Sequence, residues 1–320
     1  MSHLVNKAVL VTGAAGCIGA WVVKLLRNMG AKPVVYDLVD NRERIHLIMD
    51  DANDVAWELG DITDFERLMQ VAERHSVSAI IHLAALQVPF CKADPVGSTR
   101  INVMGSINIL ELARQRGIDC VSYASSIAAP AMTDSDALST LYGAHKVCGE
   151  QMAAVYWQDW GVPSVGIRPA IIYGPGRDQG MSAAPTIAML AAAAGESYTN
   201  PFSGDVAFVH AEDAAARFIA AASKSYDRAD VFDMNGTPES VNQVIEQIQQ
   251  MVPEADLRMS GEPMPFPAVS DNGALDTLVG VAPYRSMSDG IASTLASFEQ
   301  AKERGIDLRA LFLKTLEKNQ

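Results

Sequence analysis

A parallel, doubly wound α/β sheet with a smaller, discontinuous C-terminal lobe is the fold this sequence predicts. Three observations carry it: an apolar strand that breaks into a glycine turn, an amphipathic helix directly after that turn, and the recurrence of this strand-helix rhythm through the first half of the chain. A chain of 320 residues, 49% of them hydrophobic, can bury one large core or a core plus a lobe, which excludes disorder and collagen-like repeats.

Residues 7–11, KAVLV, form a continuous apolar run of the kind buried on both faces of a parallel sheet. After the glycine turn, Ile18, Val22, Leu25, Leu26 and Met29 fall at helical spacing, and Gly30 closes the helix before a second strand at residues 33–37, PVVYD. The alternation continues with AIIHLAA (79–85), a helix carrying Val103, Ile107 and Leu110, the strand CVSYASS (120–126), and SVGIRPAIIYG (164–174). Beyond residue 175 the rhythm loosens at Pro175, Pro185, Pro201 and EPMPFP (262–267). Thr237 is placed to cap a helix with Pro238 in its first turn and Val241, Val244, Ile245, Ile248 and Met251 on one face. The predicted division is residues 1–175, with 206–236 returning to them, against 176–205 and 237–320.

The net charge of -13 repels phosphate backbones and anionic lipid surfaces, so neither nucleic acid nor membrane is an expected partner. The longest apolar run, residues 187–194, is far short of the roughly 18 residues that a membrane span needs. Cys17, Cys91, Cys120 and Cys148 show no ligand spacing and the histidines no metal set, so no metal is expected. With no leader pattern at the N-terminus, the expected location is the cytoplasm.

Gly13, Gly16 and Gly19 form GAAGCIG between the first strand and the first helix. There, a backbone free of side chains and the helix N–H groups can meet a pyrophosphate; an ordinary tight turn is the competing reading. Asp37 ends the second strand, 18 residues past Gly19, where a carboxylate accepts hydrogen bonds from the adenosine ribose and repels a 2'-phosphate. That favours NAD over NADP, with Arg42 and Arg44 nearby as the contrary sign. Tyr142 and Lys146 in YGAHK are four apart and share a helix face, where an ammonium favours the phenolate of a general acid/base. Alone, such a pair is ordinary surface decoration. Ser126, at the end of the preceding strand, lies on the edge where open α/β sheets place ligands and is suited to hold a substrate oxygen. His145 points to another face of the helix and reads as a surface residue. Tyr156, Trp157 and Trp160 read as buried or subunit-facing aromatics.

With GAAGCIG, the aspartate of VVYD, GDITD (60–64), HLAA (82–85), ASS (124–126), YGAHK, IRPAIIYGPGR (167–177) and FVHAEDAA (208–215) in one chain, the sequence resembles the extended short-chain dehydrogenase/reductase family, the NAD-dependent sugar epimerases and dehydratases. The resemblance implies a Rossmann-type sheet and NAD bound at Gly13, Gly16, Cys17, Ile18, Gly19 and Asp37. By the same resemblance, Asp61 and Ile62 flank the adenine, Leu83, Ala84 and Ala85 line the diphosphate and ribose path, and Asn102, which supports the fourth-strand region, is counted among the cofactor-binding residues. Pro169 and Ala170 pack near the nicotinamide. Ser126, Tyr142 and Lys146 are the implied catalytic trio, with Lys146 also on the nicotinamide ribose. The implied assembly is a homodimer paired through a four-helix bundle.

Departures from that family bear on the substrate. Nucleotide-sugar epimerases carry an asparagine soon after the arginine of the sixth strand and a basic residue before the IHV-like segment; this chain has Ile171 and Val206 there. A diphosphate would lack its charge-assisted partners. The expected substrate is therefore a small secondary alcohol or ketone, sugar-like or a hydroxy acid. Gln87, Ile127 and Met181 are candidate pocket residues, and Arg177 is either an anchor for a substrate carboxylate or a structural residue. Ile127, Ala128 and Ala129 offer no acid or base, which disfavours a dehydratase. An NAD-dependent dehydrogenase leads, a sugar epimerase that retains its cofactor follows, and a non-catalytic NAD sensor is the alternative outside enzymology.

Overall fold

A computed structural model describes residues 2–130, 139–264 and 273–319. Seven strands form one sheet in the order β3-β2-β1-β4-β5-β6-β10, every neighbour pair parallel. They are β1 (Ala8–Thr12), β2 (Lys32–Asp37), β3 (Ala56–Leu59), β4 (Val77–His82), β5 (Val121–Ala124), β6 (Ser164–Pro169) and β10 (Ala229–Met234). The connecting helices are α1 (Cys17–Asn28), α2 (Glu43–Ile48), α3 (Phe65–Arg74), α4 (Val88–Ala93), α5 (Pro95–Thr99), α6 (Gly105–Arg116), α7 (Leu141–Trp160), α8 (Ala184–Ala194) and α9 (Ala211–Ala221). A π-helical turn, Arg100–Met104, joins α5 to α6.

Alternate residues of β1 serve opposite faces, as a strand covered on both sides requires. Val9 and Val11 pack with Trp21, Val22, Leu26 and Phe218, whereas Ala8 and Leu10 pack with Leu68, Val71, Ile109 and Leu112. The order reverses at β1, so β2 and β4 diverge there and leave a crevice beyond their C-terminal ends.

The long apolar segment at 164–174 is two strands. Pro169 has no N–H to extend the ladder, Ala170 donates its N–H to Met234 O at 3.0 Å, and the chain then leaves the main sheet. β7 (Ile171–Tyr173) instead joins β9 (Asp205–His210) and β11 (Thr237–Ser240) in a three-stranded sheet. Thr237 is thus a strand residue, not the expected cap. Pro238 sits on the sheet edge, and Ser240 caps α10 (Val241–Met251), its hydroxyl accepting the Gln243 N–H at 3.4 Å. β8 (Tyr198–Asn200) and β12 (Leu257–Met259) form a two-stranded pair. Residues 265–267 of EPMPFP lie outside the described residues.

α8 explains the longest apolar run. Every residue from Ala184 to Ala192 is buried, because α10, α12 (Met287–Glu303) and α13 (Leu308–Glu317) surround it. α11 (Ala274–Val279) packs on α9, where buried Arg217 donates to Asp276 at 2.8 Å. No helix among the described residues is long and apolar enough to cross a membrane.

Candidate active site

A cleft of about 660 Å³ opens over the C-terminal ends of β1, β2, β4, β5 and β6. Its floor at one end is the turn between β1 and α1. Gly13 has φ +69°, and a Cβ there would lie 2.7 Å from Ala84 N; a Cβ on Gly19 would lie 2.5 Å from Gly13 O. Any side chain at either position collides with backbone. Gly16 begins α1 without a side-chain cap, so the first-turn N–H groups remain available to an anion. Asp37 ends β2 beside them, its Oδ2 accepting Ala15 N–H at 3.0 Å and its Oδ1 Leu38 N–H at 2.8 Å. Burial pushes its pKa up, and the amide donors partly offset that. Both oxygens retain lone pairs for ribose hydroxyls.

The two arginines that cloud cofactor choice are already committed. Arg42 pairs with Asp40 at 2.6 Å and stacks on Trp57, while Arg44 donates Nη2 to Asp178 at 2.6 Å and Nη1 to Ala15 O at 2.7 Å. Neither is free to receive a 2'-phosphate. Asp61 and Ile62, Leu83 to Ala85, and Pro169 with Ala170 all line the cleft, as do Cys17 and Ile18. Burial raises the Cys17 thiol to about 12, so it stays protonated.

Ser126, Tyr142 and Lys146 converge at the other end. Thr140 starts α7, its hydroxyl accepting the Gly143 N–H at 3.0 Å, and this sets Tyr142 in the first turn. The Ser126 hydroxyl accepts the Ala128 N–H at 3.1 Å and stands close enough to the phenol to draw its pKa down. Lys146 Nζ lies 5.5 Å from the Tyr142 ring centre and donates to Ala124 O at 2.6 Å. The phenol's pKa is raised, not lowered as the Tyr/Lys spacing suggests: burial outweighs the pull of Ser126 and Arg177. Burial also brings Lys146 down to about 8. His82 lies behind the pair, bonded to Thr12 Oγ1 at 2.7 Å and held neutral by burial and Lys146, its pKa near 3.

Ser125 and Ser126 face different ways. Ser125 is buried and its hydroxyl donates to Glu150 of α7, whose carboxylate also takes Arg168 Nε at 2.7 Å and Nη2 at 2.5 Å. That clamp pins α7 to the end of β5 and to β6, one turn beyond Lys146.

Two expectations require correction. His145 is buried at 5% exposure; its Nε2 lies 3.0 Å from Thr99 Oγ1 and its Nδ1 3.2 Å from Asn102 Nδ2. A helix packed on two sides has little free surface, so a one-residue offset from Lys146 leads into α5 and the π-turn rather than to water. Asn102 is also buried and does not line the cleft. Its amide accepts from Leu86 N at 2.8 Å and donates to Leu86 O at 2.9 Å, so it shapes the loop after β4 rather than touching a cofactor.

Gln87, Ile127, Arg177 and Met181 line the cleft with Ser126. Ile171 lines it too, whereas Val206 is buried outside its walls and carries no information about a diphosphate. Sequence reasoning missed Ser182, Gln179 and Leu86 in the wall and Glu150 behind it. A serine five residues past Arg177 and a glutamate four past Lys146 were the available signals. Among the described residues no group of three or more His, Cys, Asp or Glu could hold a metal ion.

Residues 9–234 match the model of the NAD dependent epimerase/dehydratase family, and the chain belongs to that family. It is similar to UDP-glucose 4-epimerase of Rhizobium leguminosarum bv. trifolii, 34% identical over 177 residues that cover 52% of each chain. The chain spans about half the length of the curated relatives it matches. Its fold is shared with L-threonine dehydrogenase from Clostridium difficile (TM-score 0.78, 22% identity, 92% of this chain and 98% of the other). It is shared equally with UDP-glucose 4-epimerase from Thermotoga maritima, solved with UDP-glucose (TM-score 0.79, 22% identity, 92% and 100%). The family's cofactor, NAD, fits the glycine turn, the uncapped α1 amides and Asp37.

Replacing Asp37 by Ala removes the charge-assisted acceptor and should weaken NAD about 10- to 100-fold in a fluorescence titration. NADP should not become the tighter ligand, because Arg44 stays with Asp178; a switch to NADP preference would contradict this account. Lys146 titrates lower in the folded chain than the usual 10.4, so the unfolded state binds more protons between pH 8 and 10.4 and folding stability rises with pH across that window. Relative to Lys146→Met, the wild type should gain on the order of 2 kcal/mol from pH 7.5 to 10.5 in urea unfolding. A flat difference would show that Lys146 is not desolvated.

Proposed function

We propose that the protein is an NAD-dependent oxidoreductase of the extended short-chain type that acts on a secondary alcohol or ketone of a small sugar-like or hydroxy-acid substrate. The observation that carries this reading is the convergence of Ser126, Tyr142 and Lys146 in the cleft that holds the dinucleotide turn. NAD, when bound, supplies the hydride acceptor. Ser126 orients the substrate oxygen, and Tyr142 Oη exchanges the proton with it. With its pKa raised, the phenol is a ready acid for a ketone and needs nearby positive charge to serve as a base for an alcohol; Arg177 draws the pKa down, and Lys146 stands 5.5 Å from the ring centre. Ile171 stands in the wall where nucleotide-sugar epimerases carry an asparagine, and this missing partner favours a smaller substrate, with Arg177 left as a donor to an anionic group. Residues 1–175 with 206–236 serve the cofactor in this reading, and 176–205 with 237–320 the substrate.

A second reading, a sugar epimerase that keeps its cofactor, is favoured by the curated relatives named UDP-glucose 4-epimerase. We also propose a homodimer through α6 and α7, supported by the exposed apolar side chains Met104, Val155 and Trp160 at or near those helices. A cytoplasmic location is supported by four cysteines that are all free thiols.

Absorbance at 340 nm with NAD and a panel of free sugars, sugar acids and secondary alcohols tests the activity. NADH should accumulate with at least one class, and Tyr142→Phe should reduce the rate about 10²- to 10⁴-fold. Tightly held NAD with no NADH formed would select the epimerase, and turnover unaffected by Tyr142→Phe would overturn the assignment. Sedimentation should give a dimer for the wild type and a monomer for Val155→Asp; a wild-type monomer would remove the bundle.

A further inference from the structure

Arg177 stands between β7 and α8 in a setting its neighbours do not share. Asp178, the adjacent carboxylate, is taken by Arg44 at 2.6 Å on one oxygen and by Lys318 at 2.7 Å on the other. Among the described residues Arg177 forms no ion pair. One donor, Nη2, reaches Ser182 Oγ at 3.1 Å, and Nε–H is buried with no partner. A half-buried guanidinium with a buried, unpartnered Nε–H and no counter-ion is costly to keep unless something in the cleft completes it. Gly180, at φ +100°, packs against both polar groups of this wall: a Cβ there would stand 2.7 Å from Gln87 Oε1 and 3.2 Å from Arg177 Nη2, so a side chain at 180 would displace them. The amide of Gln87 and the guanidinium therefore stand side by side in the cleft wall, with Met181 and Ser182 lining the same cleft and the Tyr142 phenol within reach of the arginine's charge.

We propose that Arg177, flanked by Gln87 and Ser182, is a carboxylate anchor, and that the substrate is a hydroxy acid or sugar acid rather than a neutral sugar or a nucleotide sugar. The proposal rests on the oxidoreductase reading above and sharpens it. A planar guanidinium with spare N–H groups matches a carboxylate in both charge and geometry. An anchor at this point holds the acid end while a hydroxyl further along the molecule lies between Ser126 and Tyr142. The rival anion is the cofactor's pyrophosphate, since Cys17 in the glycine turn also feels the Arg177 charge.

The test measures NADH formation at 340 nm with 3-hydroxy acids, aldonic acids and uronic acids, each against its neutral amide, for the wild type, Arg177→Met and Arg177→Lys. NAD and UDP affinities and the thermal shift with malonate are measured on the same proteins. The wild type should prefer acid over amide about 100-fold in kcat/KM, and Arg177→Met should lose that preference mainly through KM. Arg177→Lys should restore part of it, NAD affinity should not change, and malonate should stabilise the wild type but not Arg177→Met. Equal use of acid and amide by the wild type overturns the proposal, as does a preference that survives in Arg177→Met. A loss of NAD affinity in Arg177→Met with the acid preference intact assigns the arginine to the pyrophosphate, and micromolar UDP affinity returns the cleft to nucleotide sugars. If no compound yields NADH while malonate still protects the wild type alone, the anchor stands and the dehydrogenase reading falls. If Arg177→Met does not fold, the wild-type comparison of acid with amide decides.

Discussion

Glu150 is a carboxylate that folding has removed from water, and both of its oxygens are consumed by groups from other elements: Ser125 at the end of β5 and Arg168 on β6. A pair of this kind contributes little net stability against an apolar replacement, yet leaving the buried Glu150 carboxylate without Arg168 costs about 3–5 kcal/mol, whereas Arg168 is partly exposed and keeps Asp233 at 3.5 Å. Its value is positional. Lys146 and Glu150 lie one turn apart on α7, so the clamp sets the height and rotation of the helix relative to the strand ends. Ser126 follows Ser125 directly, which means that the same bond fixing the helix also orients the serine that meets Tyr142. Serine, phenol and ammonium are therefore located relative to one another by one desolvated carboxylate.

Desolvation also governs the chemistry. Burial raises the Tyr142 phenol and lowers the Lys146 ammonium, so the folded cleft disfavours charge on both. Each charge that enters is poorly screened and acts strongly on the phenol. That is the condition under which a group with an ordinary pKa near 10 becomes responsive to its neighbours. His82 shows the same effect in a residue that carries no proton at neutral pH: buried against Thr12, it ties the end of β4 to β1.

A second set of charges joins the cofactor end to the C-terminal helices. Arg44 reaches from α2 to both Ala15 O in the glycine turn and Asp178, and Lys318, at the end of α13, completes Asp178. This network occupies the arginine that might have read a 2'-phosphate, and it leaves Arg177 facing the cleft without a carboxylate. The surroundings of the glycine turn and the unpaired state of Arg177 thus follow from the same allocation of ion-pair partners.

Local pattern determined the main sheet, the glycine turn, Asp37 and the four-residue spacing of Tyr142 and Lys146, because each depends on neighbours within a few residues: apolar runs, glycine conformation and helical periodicity. The family resemblance placed most of the remaining cleft residues, from Leu83 to Ala170. Tertiary structure alone decided the rest. The split at Ala170 follows from competition between β10 and β9 for consecutive strands, and β11 replaces a helical turn because Thr237–Ser240 finds Asp205–Phe208 as an edge partner. His145 is buried because α5 and the π-turn cover the helix face that periodicity assigned to solvent. Whether Arg177 is structural or available depended on where Asp178 spends its two oxygens, a choice made by Arg44 and Lys318 from 134 and 140 residues away. Partners so distant in sequence meet only when the chain has packed, and one-dimensional spacing holds no record of the meeting.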